Sequence, residues 1–129
     1  VGLHTQPSLD DLADVPFLDC VIKETLRVSP PAATVGRDTL KDIRLPHSGV
    51  VVPKGFRVVF PIWNLHRHPE VWGDDEEDVN SFRPERWENN DELEEKLKAK
   101  PAAYMPFLIG VRSCTGRTFS ACSSAVWSL

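Results

Sequence analysis

One of the three cysteines, Cys114, stands in a loop whose composition suits a metal-binding thiolate. A cysteine that begins a helix faces unpaired backbone N–H groups, which lower the pKa of its thiol and stabilise the anion that binds metals. We expect the last helix of the chain to begin near Cys114. Gly110 permits a sharp turn with a positive φ before the cysteine, and Gly116 permits close backbone approach after it. Residues 106–116 therefore predict a thiolate ligand to a metal such as iron.

Two more side chains of this loop fit a bound cofactor. Phe107 could cover one face of the sulfur, and Arg112 could reach an anionic group on the cofactor. The loop has the pattern Phe-x-x-Gly-x-Arg-x-Cys-x-Gly, which specifies five positions within ten residues. A lone cysteine is usually a small buried hydrophobe, and we predict that role for Cys20 and Cys122. For Cys114 the surrounding spacing favours the ligand role.

Zinc is the competing metal, and the sequence favours it less. A zinc site needs about four ligands, which usually come from cysteine or histidine pairs. Cys114 has no CxxC partner, and His66 and His68 stand two residues apart, which is not a usual helical ligand pair. The odd number of cysteines at wide spacing does not resemble a disulfide framework, so we expect a reducing compartment.

The composition limits the class of protein. The chain has 129 residues, enough for one domain at most, and 41% of them are apolar, as in an ordinary globular chain. Eleven prolines predict many short elements joined by turns. A net charge of -4 argues against a nucleic-acid partner, which requires clustered Lys and Arg. No apolar run reaches the ~20 residues of a membrane span, so we expect no membrane segment in this chain.

The elements that must position the cysteine begin with a helix over 16–28. Pro16 suits its first turn, and an apolar stripe at helical spacing follows. The stripe comprises Leu18, Val21, Ile22 and Leu26. Short strands are predicted at 35–40 and 43–45, and a hairpin at 50–60 turns at Pro53-Lys54-Gly55.

Later elements complete an α+β fold that is mainly helical with a small β-sheet and hairpin region. A charged loop spans 82–87, and a final helix spans 114–129. Residues 91–100 are predicted to form a solvated helix or mobile insert without chemistry. In that segment Glu92/Lys96 and Glu94/Lys98 have the favourable four-residue spacing.

Four charged residues outside the cysteine loop, three arginines and one glutamate, are further candidates for the site. Glu24 and Arg27 lie three apart on one helix, away from its apolar stripe, and alone predict an exposed pair worth ~0.3 kcal/mol. Arg86 follows a rigid turn in the loop 82–87, and alone predicts a charged surface loop with an aromatic anchor. Arg37 lies in a predicted strand.

Three segments, in their order along the chain, resemble signatures of the cytochrome P450 family, in a eukaryotic or fungal type. The pair Glu24 and Arg27 resembles the ExxR motif, the loop 82–87 resembles the PERF-type motif, and the loop 106–116 resembles the haem-thiolate signature. The resemblance implies that Cys114 is the axial ligand of a haem iron. It also implies that Glu24, Arg27 and Arg86 form a structural ion network behind the haem loop. Arg37 matches a strand arginine that contacts a haem propionate, with a solvated strand residue as the equal alternative. Trp87 stands where Phe is commoner.

The resemblance implies a haem-thiolate monooxygenase as the parent enzyme. Such a parent takes electrons from an NADPH-dependent reductase and inserts one oxygen atom from O2 into a small apolar organic substrate. Isomerase or dehydratase chemistry on the same centre is a close variant that the motif spacing does not separate. By the same resemblance, the parent would reside at the endoplasmic reticulum membrane.

The match covers only the C-terminal portion of that fold, so we expect 1–129 to form an incomplete domain. The family's long central helix with its acid–alcohol pair is absent, and we therefore assign no catalytic residue. Ser123 stands where the last helix usually carries a Glu. A fragment, an incomplete gene model or a decayed gene fits these departures. The alternative hypothesis is a non-catalytic remnant that binds haem weakly or not at all.

Overall fold

The computed structural model describes residues 15–117. Within that range it contains five α-helices, four short strands and three turns of 3-10 helix. The helices are α1 (Pro16–Val28), α2 (Ile62–Leu65), α3 (Pro69–Trp72), α4 (Glu76–Asn80) and α5 (Asp91–Ala99). The strands are β1 (Val35–Asp38), β2 (Ile43–Arg44), β3 (Val51–Val52) and β4 (Arg57–Phe60). The 3-10 turns are Pro84–Trp87, Pro101–Ala103 and Gly110–Arg112.

Helix α1 begins with Pro16 in its first turn and ends where the backbone N–H of Ser29 donates to the carbonyl of Thr25 at 2.8 Å. Its buried face differs from the predicted apolar stripe. The buried residues are Cys20, Glu24 and Arg27, whereas the stripe residues are only half-buried. The expectation of an exposed Glu24–Arg27 pair is therefore wrong, because neighbouring segments supply partners that make burial of these charges tolerable.

Two small antiparallel sheets lie between α1 and α2. Strand β1 pairs with β4, with Val35 opposite Phe60, and β2 pairs with β3, with Ile43 opposite Val52. The predicted hairpin between 50 and 60 is wrong, since β3 and β4 pair with different partners. The turn itself is present, and Gly55 adopts a positive φ of 85° there.

Thr39 holds the turn between β3 and β4 from outside it. Its buried hydroxyl donates to the carbonyl of Pro53 at 2.6 Å and accepts from the N–H of Phe56 at 3.0 Å. The hydroxyl of Thr39 thus bonds to backbone groups on both sides of the turn, beside the bond from the N–H of Phe56 to the carbonyl of Pro53 at 3.4 Å. Alternation of apolar residues predicts strands, but it does not specify which strands pair.

The hydrophobic core lies among the later helices. Its buried members are Val71, Trp72, Val79, Leu93 and Ala103, against which Trp87, Leu97 and Tyr104 pack. The indole N–H of Trp72 donates to the carbonyl of Ala103 at 3.1 Å. The rings of Trp87 and Tyr104 lie 4.8 Å apart. This aromatic cluster joins α3 to the segment that enters the cysteine loop.

Helix α5 is the helix predicted for residues 91–100, mostly solvated but attached to the core by one residue. Leu93 is buried in the core, and the side chain of Asn90 caps the helix by accepting the N–H of Leu93 at 3.0 Å. The remaining face is exposed and carries both predicted ion pairs, Glu92–Lys96 at 2.7 Å and Glu94–Lys98 at 3.3 Å.

The predicted final helix over 114–129 lies largely outside the described residues, as do Cys122 and Ser123. Within 15–117, no helix has both the length and the apolar character needed to cross a membrane.

Candidate functional site

A fully buried carboxylate, Glu24, organises the charged centre of the molecule. Arg27, one turn later on α1, grips it with two hydrogen bonds, from Nε at 2.9 Å and from Nη2 at 2.8 Å. Arg86 adds a bond from Nε at 2.9 Å, and the backbone N–H of Arg83 adds one at 3.1 Å. The structure thus brings together Glu24, Arg27 and Arg86, and it buries all three.

Trp87 is a further member of this network that sequence reasoning missed. Its indole N–H donates to Oε2 of Glu24 at 2.8 Å. A phenylalanine at this position has no donor, so the tryptophan satisfies a carboxylate lone pair that would otherwise need another partner. The available signal was the position of Trp87 directly after Arg86 in the charged loop.

The environment of Glu24 keeps it ionised. Burial by itself raises the pKa of the carboxyl, because it penalises the charged form. Hydrogen bonds from Arg27, the Arg83 backbone and Trp87 outweigh that penalty, so the pKa lies below its ordinary value. A buried carboxylate held by so many donors has a structural role, since it has no free lone pair to offer a reactant.

The guanidinium of Arg27 also ties three backbone segments together. Its Nη1 donates to the carbonyls of Val79 at 2.8 Å and His66 at 3.3 Å, and Nη2 donates to that of Ser81 at 3.1 Å. The same group lies over the Trp72 ring, 5.2 Å from its centroid. Removing this side chain would therefore release α1 from the segments after α2 and α4.

His66 is a second residue whose hydrogen bonds the sequence did not predict. It is fully buried. Burial is the main cause that lowers its pKa to about 4, and the nearby cations Arg27 and Arg67 contribute, against hydrogen bonds to backbone carbonyls. The imidazole is therefore neutral at pH 7. Its partners lie about 40 residues away in both directions, so no local spacing could have identified it.

The cysteine loop has the sharp turn that its glycine predicts. Gly110 has a φ of 80°, and Leu108 also has a positive φ, of 60°. The backbone N–H of Cys114 donates to the carbonyl of Phe107 at 2.8 Å, which closes the loop. Cys114 is free and exposed, and its Sγ lies 3.7 Å from where a Cβ on Gly116 would stand. The thiol therefore folds back toward Gly116, at ordinary contact distance.

A cavity of about 380 Å³ brings together two arginines that are far apart in sequence, Arg37 of β1 and Arg112 of the loop. Its other walls are almost entirely apolar. They comprise Val35, Phe60, Pro61, Leu65, Ala102, Met105, Leu108 and Ile109. Such a space suits a largely apolar ligand with anionic groups at one edge, which the two guanidiniums can bind.

Two predicted site residues lie elsewhere. Cys114 is not among the residues that line this cavity, and Phe107 faces a second cavity of about 380 Å³ between the loop and α1. Arg37 is exposed, and its Nη1 donates to the carbonyl of Gly36 at 2.9 Å. Among residues 15–117, no group of three or more His, Cys, Asp or Glu is placed to hold a metal ion.

Comparison with known proteins places the chain in a family. The family model described as Cytochrome P450 matches residues 1–126. The chain therefore belongs to the cytochrome P450 family, a family of haem-dependent monooxygenases.

Its relatives come from distant organisms. The chain is 42% identical to cytochrome P450 3A29 of Sus scrofa over 114 residues, which are 88% of this chain and 21% of that protein. It is 42% identical to cytochrome P450 714A2 of Arabidopsis thaliana over 113 residues, 88% of this chain and 20% of the relative. It is 42% identical to cytochrome P450 4F5 of Rattus norvegicus over 111 residues, 86% and 19% respectively. The chain spans about a fifth of the length of these curated relatives.

Proposed function

We propose that this chain is the C-terminal haem-binding part of a haem-thiolate monooxygenase, with the Cys114 thiolate as the residue that would hold the iron. The observation that carries the proposal is the apolar cavity that unites Arg37 and Arg112 beside the cysteine loop. Family membership supports haem as the cofactor. A haem has apolar faces and two carboxylates at one edge, which suits the apolar walls and the two guanidiniums of this cavity. Cys114 itself follows the lining residues of the loop and is not one of them.

Each residue of the site has a proposed task. Arg37 and Arg112 would bind the propionates, and Val35, Phe60 and Leu65 would exclude water from the apolar surface of the cofactor. When bound, haem supplies the iron centre for oxygen chemistry, and thiolate ligation favours O–O cleavage.

The loop residues prepare Cys114 to be a ligand. The carbonyl of Phe107 accepts the Cys114 N–H and sets the position of the cysteine backbone. Gly110 provides the positive φ of the turn. A Cβ on Gly116 would lie 3.7 Å from Sγ, at ordinary contact distance, so this position faces the thiol closely. The Phe107 ring is the proposed cover for one side of the sulfur.

The activity of the whole enzyme requires more chain than these 129 residues, because the match spans about a fifth of each relative. We propose that the parent takes electrons from an NADPH-dependent reductase, oxidises a small apolar organic substrate, and resides at the endoplasmic reticulum membrane. No residue of 15–117 is proposed as a catalytic acid.

A second candidate is a non-catalytic remnant that binds haem weakly or not at all. The exposure of the Cys114 thiol and of neighbouring Val111, which is 103% exposed, favours it. A thiolate in water is open to oxidation and competes poorly for a hydrophobic cofactor.

Hemin titration of the chain separates the two candidates. After reduction and addition of CO, thiolate ligation gives a Soret band far to the red of that from a neutral-ligand complex. We expect that band in the native chain, its loss in Cys114→Ser, and its retention in the matched variant Cys20→Ala. A band that survives in Cys114→Ser contradicts the assignment of the ligand, and absence of hemin binding supports the remnant.

A further inference from the structure

Both ring nitrogens of the buried His66 are bonded to backbone groups. Nδ1 lies 3.2 Å from the carbonyl oxygen of Leu26 and 3.3 Å from that of Arg27. Nε2 accepts the N–H of Met105 at 3.0 Å. Carbonyl oxygens only accept, so Nδ1 carries the hydrogen, and Nε2 keeps its lone pair for the amide. A single neutral tautomer satisfies every one of these contacts.

The segments that His66 joins are the helix of the ion network and the start of the cysteine loop. Leu26 and Arg27 end the helix whose charged face holds Glu24. Met105 opens the segment that leads to Cys114, and its side chain lines both the arginine cavity and the cavity beneath Phe107. The histidine therefore spans from the ion network to the start of the loop.

A relay of backbone hydrogen bonds continues from Met105 to the cysteine. The carbonyl of Met105 accepts the N–H of Leu108 at 3.0 Å, and the carbonyl of Phe107 accepts the N–H of Cys114 at 2.8 Å. A shift of Met105 relative to α1 would therefore displace both turns. The proposed thiolate would move with them.

We propose that His66 is a positioning residue for the cysteine loop, which it fixes to the end of α1 through the Met105 amide. This inference rests on the proposed haem-thiolate function for its consequence at the cofactor. The anchoring of the loop by His66 does not depend on whether a cofactor is bound.

Tyr104 provides a matched comparison. Its hydroxyl donates to the carbonyl of Lys23 at 3.1 Å, which also connects the residue before Met105 to α1, and its ring lies 5.2 Å from that of His66. Tyr104→Phe removes one bond between the same two segments but leaves the Met105 amide paired. The variant therefore shows how exchange rates and cofactor ligation respond when one hydrogen bond between these segments is lost but His66 is intact.

The first measurement is hydrogen exchange in the chain without hemin. We expect His66→Phe, which keeps the ring but has neither nitrogen, to speed exchange of the Met105, Leu108 and Cys114 amides roughly tenfold. Amides of α5 should keep their rates. In His66→Gln an amide can both donate and accept, so protection should be partly restored. Equal acceleration throughout the chain, or none in the loop, overturns the proposal.

The second measurement is the ferrous–CO spectrum of the hemin-loaded chain. We expect His66→Phe to lower the ratio of thiolate-ligated to other complex at least severalfold, and Tyr104→Phe to leave that ratio near the native value. An unchanged ratio in His66→Phe overturns the positioning role at the cofactor. If the native chain gives no band that Cys114→Ser removes, the proposed function fails instead, and the exchange rates alone decide whether His66 anchors the loop.

Discussion

At the residue scale, the molecule depends on one carboxylate and the donors around it. Five N–H groups converge on Glu24: two from Arg27 and one each from Arg86, Trp87 and the Arg83 backbone. Buried charges are costly in isolation, and their attraction repays the desolvation only when most of their hydrogen-bonding capacity is used. The network meets that condition, so removal of one member is worse than absence of the whole set.

Replacement Glu24→Gln tests this directly. The amide has the same shape but no charge, so the buried Arg27 loses its carboxylate partner and Arg86 keeps only Asp78, 3.6 Å away. We expect a loss of about 3–5 kcal/mol in the free energy of unfolding. Urea unfolding followed by tryptophan fluorescence measures it. The control is Glu94→Gln, whose exposed pair with Lys98 should contribute less than ~0.5 kcal/mol. Similar small losses in both variants would show that the network is dispensable.

Two glycines of the cysteine loop provide a second comparison at this scale. A Cβ on Gly110 meets no atom within 4 Å, so the cost of Gly110→Ala comes only from the φ of 80°. We expect that strain to destabilise the chain by roughly 1 kcal/mol. Gly116→Ala needs no left-handed backbone and should unfold nearly as the native chain does, while its Cβ lies next to Sγ. Denaturant midpoints of both variants test the difference, and a larger loss for Gly116→Ala would contradict it.

At the element scale, the site is made by a strand and a loop that approach each other. Strand β1 pairs with β4, which places Arg37 and Phe60 at one edge of the sheet next to Leu65 of α2. The turn at Gly110 brings Arg112 to the same space. Each element contributes one cation and part of the apolar wall. Neither would form an anion site without the other.

The two arginines should therefore act on the same part of a bound haem. We expect Arg37→Ala and Arg112→Ala each to weaken hemin binding about tenfold or more, since each loses a charged hydrogen bond. Arg57→Ala is the control, because Arg57 pairs with Asp38 on the exposed side of the same sheet. Hemin with esterified carboxylates should bind native and variant chains alike. A persistent difference with the ester would contradict propionate binding.

At the scale of the whole molecule, His66 makes stability depend on pH. Its pKa is about 4 in the folded chain, below an ordinary value of 6.5, so between these values the unfolded chain binds the extra proton. The contribution of neutral His66 to the free energy of unfolding is fully present above pH 6.5. It is lost as the pH drops toward 4, by roughly 3 kcal/mol in total. Glu24, whose pKa lies below its ordinary value of 4.5, adds a loss that begins as the pH falls below about 4.5.

Urea unfolding between pH 7 and pH 4.5 measures this slope. We expect the native chain to lose stability steadily over that range. His66→Gln should be less stable at pH 7 but nearly flat, because no buried imidazole remains to be protonated. His47→Gln, at an exposed loop position, is the control and should keep the native slope. If the free energy of unfolding of His66→Gln depends on pH as that of the native chain does, a group other than His66 causes the dependence.

Part of this architecture follows from local sequence. The helix over Pro16–Val28, the ion pairs of α5 and the positive φ of Gly110 depend on residues within a few positions of one another. Proline in the first helical turn, four-residue spacing and glycine conformation act at that range, so they can be predicted before any fold is known. The loop pattern around Cys114 indicated the family for the same reason.

The sequence by itself determined which residues could carry charge, turn the chain or ligate a metal, and the order of its motifs indicated the family. Only the tertiary structure decided that Glu24 is buried, that Trp87 and His66 bond to distant segments, and that β3 and β4 do not pair. It also decided that Arg37 and Arg112 line one cavity. The physical reason is that burial and partnership are properties of pairs distant in sequence, and local spacing carries no information about such pairs.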